Sequence, residues 1–402
     1  MTELSLRDAQ RLVLAHCAPL SSTTLPLQYG YGRVLAASLK STRPKPSYSQ
    51  STRDGFAVPG VSAAELRDRA VTFRLTGEIA AGTLESGALA PGCVMRIMTG
   101  GMVPRRCERV VPFEDCHEEG ERVVIPASAL RRQQTFIRKK GSVMGRGRVL
   151  VSRGTRLQPD HSLLLAENGY HEVPVYRRPR VWLLCTGSEL VKPGGEILPG
   201  QKISGNSVLL SGLLEADGTG CEVADPVPDE AGAIGSAIRG ILQQEPDVLV
   251  TTGGMGPGKF DLIEQVFQEL GGQVLYNSLR VRPGKATLFG LLGRVRCFAL
   301  PGPPPAVRLL YHELVAPALR SLQGFSRPLP LRVRAWLSES LCLRGQGVMN
   351  MKGAVATLQD GRLVVRQAGF QDRVNAILLF SGRKKTYRAG DTVSLHLVGP
   401  LA

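Results

Sequence analysis

The spacing of apolar residues along the chain predicts a helix at the start and β-structure in two later regions. Leu6, Ala9 and Val13 recur at helical spacing, and we expect helices over much of residues 1–40. Residues 54–130 hold short apolar runs separated by glycine and proline, which predicts a small β-domain. From residue 331 onward apolar and polar residues alternate with period two, which predicts a second β-domain at the carboxyl terminus.

Between residues 180 and 324 short apolar strands alternate with helical stretches. The expected elements are strands at 181–185, 221–223, 247–251, 274–276 and 297–300, and helices near 208–215, 231–243, 262–270 and 306–322. This alternation predicts a mostly parallel sheet with helices on both faces. Ligands of such sheets bind at the carboxyl ends of the strands, so the loops that follow the strands are the candidate functional segments.

These patterns together predict a multidomain α/β protein. They indicate a helical and extended N-terminal region, a small β-domain, a central α/β domain with a mostly parallel sheet, and a second small β-domain at the carboxyl terminus. A length of 402 residues suits two to three domains, and 43% hydrophobic with 21% charged residues excludes a disordered chain.

The net charge of +16 predicts attraction to anions, which include nucleic acid, a membrane surface and small polyanionic ligands. An aromatic content of 5% argues against a base-stacking platform for nucleic acid, and no apolar run approaches a membrane span. The amino-terminal segment interleaves charges with apolar residues, unlike a signal peptide, and the eight cysteines form no Cys-x-x-Cys pair. We therefore expect a cytoplasmic protein with reduced thiols, and composition leaves the kind of anion open.

A glycine-rich loop follows the expected strand at 247–251. It holds four glycines and a lysine, at Gly253, Gly254, Gly256, Gly258 and Lys259. Glycines let successive backbone N–H groups face one point, and the loop leads into a helix with Asp261 at the N-cap position, so the segment is a candidate anion cradle. The spacing approaches that of a Walker A loop, but Phe260 stands where that motif needs a hydroxyl. A tight turn without a ligand is the alternative.

Two further loops follow expected strands. Thr186–Leu190 brings a hydroxyl, a glycine turn and Glu189 to a strand end, where Glu189 is either a functional carboxylate or a cap or surface acid. Leu300–Ala306 is stiffened by prolines, which also remove backbone donors. The segment Arg280–Lys285 lies between strands and carries three cations around a Pro-Gly turn, which favours phosphate contact over a merely solvated surface.

Two other features leave alternatives open. The stretch 131–156 carries nine Lys and Arg residues and no acid, so it is either a solvated face or the positive rim of an anion-binding cleft. Asp54, followed by a glycine, is either a turn former or a metal-holding carboxylate. The six histidines show no ligand spacing and are expected to be surface or packing residues.

Eight motifs, in order, resemble the molybdopterin molybdenumtransferase family, which includes MoeA and the gephyrin E domain. They are Asp-Gly-Phe-Ala-Val at 54–58, Gly-Glu-Ile-Ala-Ala-Gly at 77–82, Arg-Ile-Met-Thr-Gly at 96–100, Thr-Gly-Ser-Glu-Leu at 186–190, Pro-Gly-Gln at 199–201 with Asn206, Thr-Gly-Gly at 252–254 with Asp261, Arg-Pro-Gly-Lys at 282–285 and Leu-Pro-Gly at 300–302. The resemblance covers essentially the whole chain.

The resemblance implies an enzyme of molybdenum cofactor biosynthesis. Such an enzyme takes adenylylated molybdopterin and molybdate, inserts the metal into the dithiolene and releases AMP, assisted by Mg²⁺. It also implies four domains: an elongated N-terminal domain at 1–53 plus 139–176, an inserted β-domain at 54–138, the α/β domain at 177–325 and a β-barrel-like domain at 328–402. It further implies an elongated homodimer, with the active cleft between the α/β domain of one subunit and the 54–138 region of the other. Contacts with other cofactor-biosynthesis proteins are expected, but none with membrane or nucleic acid. A basic cleft suits a ligand of several negative charges.

The resemblance also implies the residues of the site. Asp54, Glu189 and Asp261 would be catalytic and hold the metal. The cofactor-binding residues would be Thr99, Thr186, Gly187, Ser188, Asn206, Gly253, Gly254, Gly256, Gly258, Lys259, Arg282, Lys285, Pro301 and Gly302.

The chain departs from the family pattern at several polar positions of the site. Besides Ser188 in the Thr-Gly motif, the departures are Val143, Ser204, Gly256, Lys259 and Ala306. Because acids and hydroxyls are lost there, the alternative function is a catalytically degenerate paralogue that binds or delivers the pterin cofactor without inserting metal. Binding of nucleic acid or of an ordinary nucleotide is the third hypothesis.

Overall fold

The computed structural model describes residues 3–67, 69–80, 82, 87–254, 262–343 and 347–401. By its internal contacts the chain forms two compact units. The first comprises Met1–Ala37, Arg153–Gln158 and Glu172–Ala402, and the second comprises Ser38–Ser152 and Pro159–His171. The finer division into four domains stays a prediction. Within the described residues, no helix is long and apolar enough to cross a membrane.

The first unit contains a six-stranded α/β sheet, whose strands we label β1 to β6 in chain order. They are β1 (Val181–Cys185), β2 (Cys221–Val223), β3 (Val248–Thr252), β4 (Gln273–Ser278), β5 (Ala286–Leu292) and β6 (Val295–Leu300). The order across the sheet is β2-β1-β3-β6-β5-β4. The neighbouring strands β2, β1, β3 and β6 run parallel to one another. Strand β5 pairs antiparallel with β6, and β4 pairs antiparallel with β5. The expected mostly parallel sheet is confirmed, although β5 was absent from the sequence prediction.

Helices cover both faces of this sheet. The helices of the first unit are Leu6–Ala15, Gly205–Ala216, Ala231–Leu242, Leu262–Glu269, Pro304–Leu310, the π-helical turn Tyr311–Val315 and Ala316–Leu322. Successive residues of β3 point to opposite faces, so Val250 packs in one apolar cluster with Leu210 while Leu249 packs in the other with Ile238. This alternation explains why the strands read as uninterrupted apolar runs.

The expectation of helices over much of residues 1–40 is only partly correct. Leu6–Ala15 is an α-helix, with Ser5 as its side-chain N-cap. Ser22–Pro26 is instead a strand that pairs antiparallel with Glu172–Tyr176, followed by the 3₁₀ turn Leu27–Tyr29. The β-branched threonines of the strand favour this extended state, and its partner lies far along the chain.

The C-terminal part of the first unit is a closed five-stranded β-barrel. Its strands are Leu331–Leu337, Met349–Gln359, Arg362–Gln367, Ala376–Phe380 and Thr392–Leu397. The barrel closes because Met349–Gln359 pairs with both Arg362–Gln367 and Ala376–Phe380. Val281–Arg282 adds a short parallel pairing to Met349–Asn350, and Leu341–Cys342 pairs with Thr386–Tyr387. The predicted period-two region therefore forms the expected β-domain.

The second unit is built on another six-stranded sheet. The strand order is Cys107–Pro112, Gly55–Pro59, Cys93–Ile97, Ala70–Ile79, Arg122–Pro126 and His117–Glu119. The unit also contains two separate strand pairs, Gln50–Ser51 with Ile137–Arg138 and Leu39–Lys40 with Val149–Val151. Its helices are Ala127–Leu130 and Pro159–Glu167, and its 3₁₀ turns are Glu65–Arg67 and Phe113–Asp115. Phe56, Val94 and Ile125 lie in its main apolar cluster. The predicted small β-domain is thus present.

Candidate functional site

The carboxyl ends of β1, β3 and β6 surround a cavity of about 540 Å³ in the first unit. Its described lining residues are Thr186, Gly187, Glu189, Leu190, Lys202, Ile203, Ser204, Gly205, Asn206, Asp229, Thr252, Gly253, Gly254, Pro301, Gly302, Pro303 and Pro304. We call this cavity the strand-end cavity. The three loops that the sequence singled out converge there because parallel strands bring their carboxyl ends to one edge of the sheet.

Backbone hydrogen bonds join the loops of the strand-end cavity to one another. The N–H of Thr186 donates to Thr252 O at 2.8 Å, and the N–H of Gly253 donates to Leu300 O at 3.1 Å. The N–H of Gly187 donates to Val227 O at 3.0 Å. The loops after β1, β3 and β6 and the segment after β2 therefore hold one another in place.

Glycine is required at two positions of the loop after β3. Gly253 has a φ of +95°, and a Cβ built there would lie 2.2 Å from Thr186 O. Gly254 has a φ of +64°, and its Cβ would lie 2.8 Å from a side-chain carbon of Ile263. Any larger residue would push the loops apart or strain the backbone. The predicted residues Gly256, Gly258, Lys259 and Asp261 lie outside the described residues.

Four side chains that line the strand-end cavity contain a buried polar atom without a hydrogen-bond partner in the part of the chain that the structure describes. These atoms are Thr186 Oγ1, Ser204 Oγ, Asn206 Oδ1 and Asp229 Oδ1. Leaving such an atom unsatisfied costs about 1–3 kcal/mol, and native proteins rarely tolerate it without a reason. Their concentration around one cavity makes it the candidate ligand site in the described part of the chain.

Hydrogen bonds from the Asn206 side chain and the Asp229 backbone hold these two residues in position. Asn206 lies at the start of the helix Gly205–Ala216 and donates from Nδ2 to Gly302 O at 2.8 Å, so its Oδ1 is the atom left over. The N–H of Asp229 donates to Ser188 Oγ at 3.1 Å, which links the segment after β2 to the loop after β1. Ser188 therefore positions Asp229.

A short two-stranded flap borders the same cavity. Leu190–Val191 pairs parallel with Lys202–Ile203, and the N–H of Lys202 donates to Glu189 O at 2.8 Å. The carboxylate of Glu189 is exposed and lies beside Gly187, where a Cβ would come within 2.9 Å of Glu189 Oε2. Glu189 thus lies at the rim rather than the floor of the cavity.

Asp229 is a candidate functional residue that the sequence analysis missed. It lies in the Pro-Val-Pro-Asp-Glu segment between β2 and the helix Ala231–Leu242. The signal available in the sequence was its position after a predicted parallel strand, the same signal that identified Glu189. Without the tertiary structure, this acid could not be distinguished from the many other acids of the surface loops.

The charge of the strand-end cavity differs from the cationic lining that the sequence suggested. Its described lining holds one cation, Lys202, and two carboxylates, Glu189 and Asp229. Arg282 and Lys285 are not among the lining residues: Arg282 is in the short pairing with the barrel, and Lys285 Nζ lies 2.6 Å from Glu3 Oε1. Their contact with phosphate stays a prediction.

Asp54 and Thr99 belong to the second unit, where they form a local pair. Asp54 Oδ1 accepts a hydrogen bond from the backbone N–H of Thr99 at 2.6 Å. The hydrogen bonds from Thr99 lower the pKa of the Asp54 carboxyl, which is exposed and charged at neutral pH. The pair joins Asp54 to the turn before residue 100, and both interpretations of Asp54 remain.

Besides Ser188, three of the residues at which the chain departs from the family pattern lie among the described residues. Ser204 is buried in the strand-end cavity, where its hydroxyl lacks a partner among the described residues. Ala306 is buried in the helix Pro304–Leu310 and contributes no polar atom. Val143 is exposed in the second unit, beside a cavity of about 360 Å³ whose lining includes Lys45 and Arg138. The basic stretch 131–156 therefore contributes Arg138 to the lining of a cavity.

Among the described residues, no group of three or more His, Cys, Asp or Glu side chains lies close enough to hold a metal ion. The strand-end cavity does offer oxygen donors, namely the carboxylates of Glu189 and Asp229 and the amide oxygen Oδ1 of Asn206. Mg²⁺ is usually held by one or two carboxylates together with substrate phosphates, so this donor set fits that ion.

The fold and the sequence both match known proteins of molybdopterin biosynthesis. Two solved structures of the molybdopterin biosynthesis MoeA protein from Pyrococcus horikoshii superpose with TM-scores of 0.84 and 0.79, at 24% and 22% identity. They cover 99% and 98% of this chain and 100% of those chains. The chain therefore has the fold of the MoeA proteins.

Sequence comparisons give the family. A model of the MoeA N-terminal region (domain I and II) matches residues 4–169, and a model of a probable molybdopterin binding domain matches residues 182–321. The molybdopterin molybdenumtransferase of Bacillus subtilis (strain 168) is 29% identical over 412 residues, covering 99% of this chain and 94% of that protein. A relative of the same name from Staphylococcus epidermidis is 25% identical, covering 98% and 96%. The chain belongs to the molybdopterin molybdenumtransferase family, a family of molybdenum cofactor biosynthesis.

Proposed function

We propose that this protein inserts molybdate into adenylylated molybdopterin and releases AMP. One observation carries the proposal: four buried polar atoms without partners among the described residues surround a cavity at the carboxyl end of a parallel sheet. Such a cavity is the usual ligand site of an open α/β sheet. The likeness to molybdopterin molybdenumtransferases along nearly the whole chain supports this choice of ligand.

The polar atoms divide into two chemical groups. The hydroxyls of Thr186 and Ser204 can donate hydrogen bonds to the anionic oxygens of a phosphate or of molybdate. Asn206 Oδ1 and the carboxylates of Asp229 and Glu189 only accept hydrogen bonds, so they suit a cation or the N–H groups of a pterin. The cavity thus offers both kinds of partner that a pterin with an attached diphosphate requires.

Glu189, Asp229 and Asn206 are the described residues that would hold Mg²⁺, with Asp54 and Asp261 as the further ligands expected from the sequence. When bound, Mg²⁺ would neutralise the charge of the diphosphate and polarise the bond that releases AMP. The chain itself orients the ligand: the joined backbone of the three loops keeps the hydroxyls and carboxylates in place before the ligand arrives. Preorganised groups of this kind need no rearrangement during reaction.

Asp54 and Thr99 complete the proposed site from a second subunit. In this arrangement the protein acts as a cytoplasmic homodimer, and the charged Asp54 carboxylate faces the ligand across the subunit boundary. The hydrogen bond from Thr99 supports this role because it holds the carboxylate ionised and in one orientation. Lys259 and the glycines at 256 and 258 would bind the phosphates in the same proposal.

A cofactor carrier without metal insertion is the second candidate. Ala306, which is buried in a helix, supplies no polar atom where the family has a hydroxyl, and Ser204 supplies no carboxylate where the family has an acid. A site with fewer acids holds Mg²⁺ less firmly while it still binds the pterin.

Release of AMP tests the proposal directly. Purified protein is mixed with adenylylated molybdopterin, molybdate and Mg²⁺, and AMP is measured by chromatography. We expect AMP release that requires both molybdate and Mg²⁺. Tight binding of the substrate without AMP release at saturating Mg²⁺ would support the carrier, and absence of binding would reject both functions.

A pair of matched variants tests the site. Asp229→Asn should reduce the affinity for Mg²⁺ in the AMP-release assay by about 10–100-fold, since the carboxylate is a proposed ligand. Asp225→Asn is the control, because Asp225 lies in the same segment but is exposed and paired with Lys192 at 2.6 Å. Equal effects of the two substitutions would contradict the assigned role of Asp229.

A further inference from the structure

A second cavity, of about 590 Å³, lies in the first unit between the helix Pro304–Leu310 and the β-barrel. Its lining residues are Pro283, Pro304, Pro305, Arg308, Leu309, Met351, Lys352, Gly353, Gln367, Ala368, Gly369, Phe370, Asp372 and Val374. We call it the barrel cavity. It shares Pro304 with the strand-end cavity, so the two adjoin, and none of the site residues expected from the sequence lines it.

The floor of the barrel cavity is apolar and its rim carries an exposed aromatic ring. Leu309 and Met351 are buried beneath it, and three prolines stiffen one wall. Phe370 has a relative exposure of 105%, the largest of any apolar side chain in the described residues. A fully exposed phenylalanine at the mouth of a cavity indicates a surface that something else covers.

The turn that carries Phe370 is held firmly. Arg366 donates two hydrogen bonds to Asp372, at 2.5 and 2.8 Å, and the N–H of Gly369 donates to Asp372 Oδ2 at 2.7 Å. The N–H of Gln367 donates to Glu339 Oε1 at 3.0 Å. Phe370 is therefore presented on a turn fixed at both ends. The bonds from Arg366 lower the pKa of Asp372, whose charge they balance.

The barrel cavity is lined by two cationic side chains, Arg308 and Lys352. Arg308 extends from the helix Pro304–Leu310, and Lys352 extends from the barrel strand Met349–Gln359. Within the described residues, neither side chain has a hydrogen-bond or ion-pair partner, and both are half-buried. Since the only acid of the lining is already paired with Arg366, the cavity has a net positive charge that nothing in the described chain balances.

We propose that the barrel cavity binds a nucleoside monophosphate. The volume lies in the range of small-molecule sites. Arg308 and Lys352 provide charge for a phosphate group, Phe370 provides a face for stacking a base, and the Gln367 amide provides a donor and an acceptor for the edge of the base. The choice of AMP rests on the proposed function, whose product would leave the strand-end cavity next to this one.

Calorimetric titration with AMP, and separately with inorganic phosphate, tests the proposal without any pterin or molybdate. We expect saturable AMP binding that becomes about tenfold weaker or more in the double variant Arg308→Gln/Lys352→Gln, since charged hydrogen bonds of this kind contribute at that level. Phe370→Ala should weaken AMP binding but leave phosphate binding unchanged, because phosphate has no ring to stack. Arg334→Gln and Leu358→Ala, both exposed on the barrel, are the controls.

Several results would overturn the proposal. AMP binding that is absent from the wild type would do so, as would binding that none of the cavity variants weakens. A Phe370→Ala variant that binds AMP as well as the wild type would reduce the site to a general phosphate site. AMP could bind with the expected dependence on the cavity residues while no AMP is released from the adenylylated pterin. In that case the barrel cavity is a nucleotide site and the proposed reaction is wrong.

Discussion

Two groups of buried polar side chains in the first unit differ in whether they have partners among the described residues. The carboxylate of Glu313 is fully buried, yet Oε2 accepts from Gln10 Nε2 at 2.9 Å and Oε1 lies 2.8 Å from His396 Nδ1. The polar atoms of the strand-end cavity are also buried, but four of them have no partner among the described residues. The first arrangement stabilises the fold, and the second marks the candidate ligand site.

The position of Glu313 explains its partners. It lies in the π-helical turn Tyr311–Val315, between two α-helical segments. Gln10 reaches it from the N-terminal helix and also donates to the Glu313 carbonyl at 3.1 Å, while His396 reaches it from the last barrel strand. One carboxylate thus joins three segments of the first unit that are far apart in sequence. π-helical turns often occur at functional sites, but this one has a structural role.

The largest expected effect is the loss of the Glu313 carboxylate. Glu313→Ala leaves His396 Nδ1 without its partner and leaves Gln10 Nε2 only the Glu313 backbone carbonyl, so it should reduce the free energy of unfolding by about 3–5 kcal/mol. Urea denaturation followed by circular dichroism measures it. Glu313→Gln keeps one acceptor and should lose less. A loss below about 1 kcal/mol for Glu313→Ala would show that the network is dispensable.

Two glycine-to-alanine variants compare a position with a strained backbone and a close contact with a position that has neither. Gly253→Ala places a methyl group against Thr186 O at a positive φ, and it should cost about 1–3 kcal/mol of stability and distort the strand-end cavity. Gly212→Ala is the matched control. Gly212 lies within the helix Gly205–Ala216 with open space around it, so alanine there should stabilise by about 0.5–1 kcal/mol. Thermal unfolding of both variants gives the comparison, and destabilisation by Gly212→Ala would contradict it.

Both carboxylate oxygens of Asp247 have hydrogen-bond partners, and its contribution to the free energy of unfolding should depend on pH. Burial acts to raise the pKa of Asp247, but two hydrogen bonds from Arg177, at 2.6 and 2.7 Å, and one from the Arg180 N–H at 2.8 Å outweigh it, so its pKa falls below 3.8. A lower pKa in the folded state stabilises the protein above pH 3.8, and this contribution disappears as pH falls through the folded pKa.

The measurement is urea unfolding at pH 7 and at about pH 3 for the wild type and Asp247→Asn. At pH 7 the variant should be less stable by about 1–2 kcal/mol, because the neutral amide loses charged hydrogen bonds. The difference should shrink at acidic pH. A difference that stays constant with pH would mean that packing rather than charge accounts for the loss.

The smallest expected effect on stability is at the strand-end cavity. Asp229→Ala removes a carboxylate whose Oδ1 has no partner among the described residues, so the free energy of unfolding should change by no more than about 0.5 kcal/mol or should rise. Chemical denaturation at pH 7 measures this change. A loss of several kcal/mol would show that Asp229 stabilises the fold and would remove the contrast with Glu313.

Much of the fold was predictable because each helix or strand depends mainly on the residues of its own segment. The period of apolar residues placed four strands of the parallel sheet and its helices to within a few residues, and the change to period two predicted the barrel. The strand β5 was missed because its apolar run, interrupted by Gly290, has no period of its own. Gly290 is needed because a Cβ there would lie 2.7 Å from the ring of Phe267, a contact that only the folded chain reveals.

The sequence alone also determined the family, since its motifs survive in order, and it directed attention to the three loops after β1, β3 and β6. Only the tertiary structure decided which polar atoms have partners. It added Asp229 to the strand-end cavity, left Arg282 and Lys285 outside its described lining, and joined Glu313 to residues 303 and 83 positions away. The physical reason is that periodicity reports which face of an element is buried, whereas a hydrogen bond depends on where two distant elements meet.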